Sequence, residues 1–300
     1  MFLNIVNPNV NKRDKLIQII NNYNKNKQPS PSINITLDGL YCEKYNNSKT
    51  KCIFINYCRD NYKTSATDNE HNIKHFYFIT FDTMNPQLTY MPNISENKQN
   101  ALNLLFNITK FNYNINDNGH IYIIMNNLNG IFLSKMNKEE IKQKLIDLII
   151  IINQYSNKKI YLRPHLKDLM DNKIKFYKNI RKLFTNVFID VTAKINIKNI
   201  YCVFIQNTKF MFHFASCGVP MYNSNFVDYT YFPEICINDM SIINKLSDNI
   251  TKLPDIKKFM YKYYKFIYTE TELEHPNFLN NLVSIYVNPD GVDNETPIIT

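Results

Sequence analysis

One stretch of the sequence decides the fold: His120-Ile-Tyr-Ile-Ile-Met125, then Lys138 to Tyr155, then Lys159-Ile-Tyr-Leu-Arg163. The first and last runs are short, apolar and rich in β-branched residues, a composition that favours buried strands. The middle segment repeats apolar residues at helical spacing along one face: Ile141, Leu145, Leu148, Ile149 and Ile152. A strand, a helix and a second strand at this spacing predict a βαβ unit with two parallel strands.

The same alternation continues towards the C-terminus. The sequence predicts a helix over 174–184, strands over 186–191 and 200–205, a helix from Thr208 to Cys217 and a strand at 219–222. Repeated βα steps of this kind are typical of a doubly wound parallel sheet. We therefore predict the α/β class, with a Rossmann-like lobe over residues 119–256.

The first hundred residues predict a second, less regular α/β lobe. Apolar runs at 3–6, 32–37, 52–57 and 75–81 are interpreted as strands, with polar loops between them. This lobe is assigned to residues 1–112. The segment 257–288 is rich in aromatic residues and is predicted to be helical and to pack back across the lobes.

Composition limits the function classes only loosely. The 300-residue chain has a formal net charge of +9, which suits a phosphate-bearing ligand, nucleic acid or an anionic membrane surface, or a lysine-rich solvated exterior. The bias towards Asn, Ile and Lys indicates an AT-rich genome, such as that of a parasite, an organelle or a large DNA virus.

Cysteine usage and hydropathy predict a soluble protein of a reducing compartment. The 6 cysteines form no Cys-x-x-Cys pair, and none lies near a histidine at metal-ligand spacing. No secretory signal is visible, and the longest apolar run is too short to cross a membrane. We expect the cytoplasm, or the host cytoplasm for a viral protein.

Two strand ends carry the candidate chemistry. Arg163-Pro-His165 follows one predicted strand, and Asn207-Thr208 follows another at the start of a helix. Ligands of open α/β sheets bind at this edge, Arg and His can donate to phosphate oxygens, and a helix N-terminus attracts anions. Alternatively, Arg163 pairs with a helix carboxylate such as Asp168 or Asp171, and His165 is a solvated loop residue.

The turn after the second helix completes the pattern. Gly218 occupies the position where helices favour glycine, and Val219-Pro220 leads into the next strand. His213, within that helix, is interpreted as a core residue or as one that lies behind the site. The chain has no Gly-x-Gly-x-x-Gly, no Walker loop and no Asp-x-Asp step, so neither a typical dinucleotide or ATP site nor a bound metal is predicted.

Residues 117–240 resemble the C-terminal lobe of the capsule-type glycosyltransferases, which are GT-B enzymes with two Rossmann-like lobes. The resemblance rests on Arg163-Pro-His165, on Asn207-Thr208 and on the Gly218-Val219-Pro220 turn, taken in that order. The chain departs from the family pattern at Leu166, where the family has a second proline, and at His213, where it usually has glutamate.

The resemblance implies transfer of a sugar from a nucleotide-sugar to a glycan or glycoconjugate acceptor, without a metal and with no cofactor beyond the donor. Arg163, His165, Asn207 and Thr208 would bind the donor phosphates. In the N-terminal lobe, the acceptor side in this family, Asp38 would be the general base, although an Asp-Gly turn between strands explains the same residues. We do not expect nucleic acid as a partner.

Two alternatives stay open at this stage. A nucleotide-sugar epimerase shares the two-lobed fold. A basic nucleic-acid-binding or virion-associated protein without catalysis would also suit the charge of the chain.

Overall fold

A computed structural model describes residues 1–5, 14–36, 52–59, 75–81, 94, 96–105, 108, 110–130, 133, 136–192, 195–206, 210–226 and 233–288. The chain divides into two compact units. One unit joins Met1–Leu105 to Tyr261–Thr300, and the other is the continuous stretch Phe106–Met260.

The first unit contains a five-stranded sheet in the order β1-β2-β3-β4-β11. Strands β1 (Phe2–Ile5), β2 (Ser32–Thr36) and β3 (Cys52–Arg59) are parallel to one another. Strand β4 (His75–Phe81) is antiparallel to β3, and β11 (Ile267–Thr269) is antiparallel to β4. The sheet is therefore a parallel βαβ core extended by two antiparallel strands.

Strand β11 is a difference from the sequence prediction. The segment predicted to be helical contains helices α7 (Ile256–Tyr264), α8 (Glu270–Glu274) and α9 (Phe278–Val287), with β11 between the first two. Its Ile-Tyr-Thr sequence is β-branched and aromatic, which suits a pleated surface better than a helix. Three residues are too few to show a period of two.

The other helices of the first unit are α1 (Asp14–Asn24) and α2 (Glu96–Leu105). Leu16 and Ile20 of α1 are buried. Helix α2 is joined to α8 by an ion pair in which Lys98 Nζ lies 2.9 Å from Glu272 Oε1.

The second unit is built on a six-stranded sheet in the order β10-β9-β8-β5-β6-β7. The strands, all parallel, are β5 (His120–Ile124), β6 (Ile160–Arg163), β7 (Val187–Ile189), β8 (Ile200–Ile205), β9 (Met221–Asn223) and β10 (Cys236–Ile237). Strands β5 and β8 are central: β6 and β7 follow β5 on one side of the sheet, and β9 and β10 follow β8 on the other. The predicted α/β class, with a doubly wound parallel sheet in this unit, is confirmed.

The core of the second unit forms where the strands meet helix α3 (Lys138–Tyr155). Its buried face consists of Ile141, Leu145, Ile149 and Ile152. Each buried aliphatic side chain contributes about 1.5–3 kcal/mol relative to exposure. The helix begins with a capping box, in which Asn137 and Glu140 each accept a hydrogen bond from the other's backbone N–H.

The remaining α-helices described in this unit are α4 (Leu166–Met170), α5 (Ile174–Arg181) and α6 (Phe210–Ser216). The connection from β7 to β8 contains a single 3-10 turn, Ile197–Asn199, within its described residues. None of the helices in the described ranges is long and apolar enough to cross a membrane.

Candidate functional site

The carboxyl ends of β5 and β8 meet where the strand order reverses. Asn126, just after β5, donates from Nδ2 to the C=O of Gln206, just after β8, at 3.0 Å. Gln206 is 1% exposed, and its Oε1 accepts the backbone N–H of Phe226 at 2.8 Å. In open α/β sheets the crevice at this reversal is the ligand site. Sequence reasoning overlooked both residues, although each is a polar residue directly after a buried apolar strand.

The loop after β5 is held by a buried carboxylate. Asp168 is 0% exposed, and its two oxygens accept the backbone N–H of Leu128 at 3.1 and 3.2 Å. Tyr177 Oη donates to the same group at 2.9 Å, and Lys173 Nζ lies 3.4 Å away. Burial of a charge is costly unless it is paired and hydrogen-bonded, and these contacts meet that condition. Asp168 therefore fixes the loop that borders the candidate crevice.

Arg163 ends β6 with its guanidinium bound to the end of β7. Its Nη1 donates to Asp190 Oδ2 at 2.6 Å, and its Nη2 donates to the C=O of Thr192 at 3.0 Å. The other Asp190 oxygen accepts the backbone N–H of Thr192 at 2.9 Å and its hydroxyl at 2.6 Å. Arg163 forms an ion pair, as the alternative interpretation of the sequence held, but the carboxylates named there, Asp168 and Asp171, are wrong. The register between β6 and β7 places Asp190 beside Arg163.

His165 is exposed at the same edge and caps helix α4. Its Nδ1 accepts the backbone N–H of Lys167 at 3.1 Å, so in the neutral ring Nε2 carries the proton and can donate. Partial burial lowers the pKa of His165; Lys167 and Lys173 lower it further, against an opposing effect of Asp168. At neutral pH the imidazole is therefore an uncharged donor.

Three of the predicted site residues, Asp38, Asn207 and Thr208, lie outside the described residues. On either side of Asn207 and Thr208, the described chain ends at Gln206 and resumes at Phe210. The roles assigned to the three residues stay predictions.

The turn after α6 is fixed by backbone contacts. Gly218 has φ +69°, and its C=O accepts the N–H of Asn114 at 2.8 Å. A Cβ at this position would contact Asn112 O and lie 2.8 Å from Asn114 N. Only glycine avoids both the left-handed strain and the clash. Val219 and Pro220 are buried, and Pro220 C=O accepts from Val203 of β8 at 3.0 Å.

Ser224 adds an unsatisfied hydroxyl directly after β9. The residue is 5% exposed, and its Oγ has no hydrogen-bond partner in the described part of the chain. Its backbone N–H reaches Ile205 C=O, the last residue of β8, at 3.3 Å. A buried hydroxyl without a partner costs about 1–3 kcal/mol. Such an atom beside the carboxyl edge is a candidate contact for a bound ligand.

His213 lies on helix α6 and is partly buried. Burial lowers its pKa to about 4, so the ring is neutral at physiological pH. Within the described ranges, no three His, Cys, Asp or Glu side chains group closely enough to hold a metal ion.

Comparison with known proteins gives likeness at the level of structure alone. No protein-family model matches the chain, and no curated protein matches it. The second unit nevertheless defines an α/β protein with a Rossmann-type strand order.

Solved structures similar to the chain include two of TarM, a GT-B glycosyltransferase. One is a mutant of S. aureus TarM in complex with fondaparinux, alpha-GlcNAc-glycerol and UDP; it is 13% identical with a TM-score of 0.28, over 67% of this chain and 43% of that one. The other, TarM itself, is 14% identical with a TM-score of 0.31, over 85% of this chain and 54% of that one. The chain thus spans about half the length of these neighbours.

Proposed function

We propose that the second unit binds a nucleotide-sugar at the carboxyl edge of its sheet and that the protein transfers the sugar to a glycan or related acceptor. The observation that carries the proposal is the strand reversal between β5 and β8, bridged by Asn126 and Gln206. This is the position where Rossmann-type sheets bind nucleotides.

The donor phosphates are assigned to His165, with Arg163 beside it. His165 offers an uncharged Nε2–H donor at the sheet edge. The Arg163 guanidinium keeps donors beyond those it gives to Asp190 and Thr192. Asn207 and Thr208, which come directly after Gln206 in the sequence, are proposed to complete the phosphate site.

The reaction needs a base and a stabilised leaving group. The acceptor hydroxyl attacks the anomeric carbon of the sugar, the bond from that carbon to the phosphate oxygen breaks, and the hydroxyl proton passes to a carboxylate, for which Asp38 is proposed. The developing negative charge on the nucleoside diphosphate is then stabilised by the donors of Arg163 and His165. A metal-independent reaction is part of the proposal.

A thermal-shift panel tests donor binding first. UDP, GDP, CMP and dTDP, each with and without common sugars, are added to the full chain with and without EDTA. A ligand that binds only the folded protein at about 100 times its Kd stabilises it by about 2.7 kcal/mol. We expect one nucleotide series to raise the midpoint. Its donor sugar should then be released or transferred in a radiolabel assay, with EDTA present.

An unchanged midpoint with every nucleotide would contradict the proposed site. Binding to random RNA or DNA that falls steeply with salt would then identify the non-catalytic alternative.

A further inference from the structure

Helix α4 has its polarity reversed. It buries a carboxylate, Asp168, which is 0% exposed, and it turns two large apolar side chains outwards, since Leu166 is 67% exposed and Met170 is 78% exposed. These are the two highest exposed fractions among the large apolar residues described in the second unit. A surface helix of a globular protein ordinarily packs its apolar side chains on the core. The outward side of α4 is therefore a candidate contact surface.

Helical geometry places the two apolar side chains together. Successive residues are rotated by about 100° around an α-helix, so Leu166 and Met170 lie within about 40° of each other. Asp168 lies about 160° from both, on the side where its carboxylate accepts the backbone N–H of Leu128 in the loop after β5. The apolar pair therefore points away from the loop that borders the candidate crevice.

Lysines border the apolar pair. Lys167 follows Leu166 on the same helix and Lys175 lies on α5; both are exposed, and neither forms an ion pair with a described residue. Asp171, the exposed acidic residue between the two helices, is paired with Lys173, whose Nζ lies 3.1 Å from its Oδ2. We call Leu166, Met170, Lys167 and Lys175 together the α4 face.

The basic surface continues along α5. Residues 172–189 contain five Lys or Arg and no Asp or Glu. The α4 face thus combines exposed apolar side chains with a positive surroundings, and its charge is complementary to an anionic partner.

We propose that the α4 face binds the surface of an anionic lipid bilayer, with Leu166 and Met170 inserted among the headgroups and Lys167 and Lys175 beside the lipid phosphates. Inserted apolar side chains contribute through the area that they bury at the headgroup–acyl boundary, and lysines near an anionic surface add an attraction that falls off within a Debye length. Binding of this kind is reversible. It does not depend on the proposed sugar transfer.

The size of the α4 face favours a membrane over a protein partner. A specific protein–protein interface buries at least about 1,000 Å², more than two side chains on a five-residue helix supply. A bilayer can hold a protein through a small apolar insertion that is combined with a basic patch.

The first test uses the full chain and sedimenting vesicles. One set is phosphatidylcholine with about one third phosphatidylserine, and the other is phosphatidylcholine alone. No nucleotide or sugar is present, so the outcome is separate from that of the thermal-shift panel. We expect the anionic vesicles to bind at least about tenfold more tightly than the neutral ones, and their binding to weaken in high salt.

One pair of variants tests the apolar contact. Leu166→Ser with Met170→Ser should weaken binding to the anionic vesicles at least about tenfold, because it removes the inserted side chains. The matched control is Ile150→Ser with Ile250→Ser, at residues that are 45% and 47% exposed elsewhere in the unit. The control should bind within about twofold of the unaltered protein.

A second pair of variants tests the charges. Lys167→Glu with Lys175→Glu should also weaken binding at least about tenfold, because it replaces attraction to the lipid phosphates by repulsion. Lys245→Glu with Lys252→Glu makes the same change in net charge at exposed lysines elsewhere in the unit, and it should leave binding within about twofold.

The absence of tryptophan from the chain allows a direct test of insertion. Met170→Trp introduces a single indole at the α4 face, where an aromatic side chain suits the membrane–water interface. Ile250→Trp is the control. With anionic vesicles that carry brominated acyl chains, we expect the fluorescence of the first variant to be quenched and that of the second to be unchanged.

Four results would overturn the proposal. Two concern the unaltered protein and depend on no variant: absence of binding to anionic vesicles, and equal binding to anionic and neutral ones. A third is unquenched fluorescence of vesicle-bound Met170→Trp, which would exclude α4 as the inserted element. The fourth is full vesicle binding by Leu166→Ser with Met170→Ser, which would assign the attraction to the basic surface of α5 alone.

Discussion

Arg163 Nη1 lies 2.6 Å from Asp190 Oδ2, and this ion pair joins the carboxyl ends of neighbouring strands β6 and β7. The two side chains are 13% and 7% exposed. The residue predicted to bind phosphate therefore also holds the sheet edge together. Its substitution has consequences for stability as well as for ligand binding.

Arg163→Ala should destabilise the protein by about 3 kcal/mol, because it leaves the Asp190 carboxylate buried without its cation. Urea unfolding of the second unit measures the change. The control is Lys142→Ala, which removes an ion pair to Glu139, whose side chain is 82% exposed, and should cost no more than about 0.5 kcal/mol. Equal effects of the two variants would show that the Arg163–Asp190 pair is energetically a surface contact.

His165→Ala tests the phosphate role against a matched histidine. His275 is also exposed, and its Nδ1 accepts the N–H of Asn277 at 3.3 Å, the same local contact that His165 makes with Lys167. Loss of the His165 cap costs about 0.5–2 kcal/mol, and loss of the single hydrogen bond of His275 costs about 0.5–1.5 kcal/mol. Only His165→Ala should also lower turnover, by about a hundredfold or more if its donor stabilises the leaving phosphate.

Kinetics with the donor identified by thermal shift supply the measurement. Similar turnover rates for His165→Ala and His275→Ala would show that His165 takes no part in the site.

The buried imidazole of His213 should make the folded protein less stable in acid. Its folded-state pKa of about 4 is below the unfolded value near 6.5, so the unfolded chain binds the proton more readily. The contribution of the neutral ring is present above pH 6.5 and is lost as pH falls towards about 4, by up to about 3 kcal/mol. Unfolding midpoints between pH 7 and pH 4 should therefore fall less steeply in His213→Phe than in the unaltered protein. A slope unchanged by that substitution would contradict the prediction.

Ser224→Ala should affect the free and ligand-bound proteins in opposite ways. Without ligand the variant should be equal in stability or more stable by about 1 kcal/mol, because it removes a buried hydroxyl that lacks a partner. The midpoint shift given by the donor nucleotide should be smaller than in the unaltered protein. Destabilisation of the ligand-free protein, with an unchanged nucleotide shift, would exclude Ser224 as a ligand contact.

The architecture of the second unit was predictable because its strands and helices have distinct periods. Helix α3 carries its apolar residues on one face, and β5 and β8 are continuous apolar runs. The position of Gly218 was also predictable, since glycine is scarce in this chain and Gly218 directly follows a predicted helix.

The partners within the site were not predictable in the same way. The Arg163–Asp190 contact depends on the register between β6 and β7, in which Leu162 lies opposite Ile189. The burial of Asp168 depends on how α4 and α5 fold back on the loop after β5. Neither relation leaves a local pattern in the sequence, because Arg163 and Asp190 are 27 positions apart and Leu128 and Asp168 are 40 positions apart, and the fold must first bring them together.

The division of the chain has a consequence for the order of folding during synthesis. The second unit is one uninterrupted stretch, Phe106–Met260, whereas the first is completed by Tyr261–Thr300. Strand β11, the antiparallel partner of β4, is therefore translated after every residue of the second unit. During translation the second unit, which is the candidate nucleotide-binding unit, can therefore fold before β11, the last strand of the first sheet, has been synthesised.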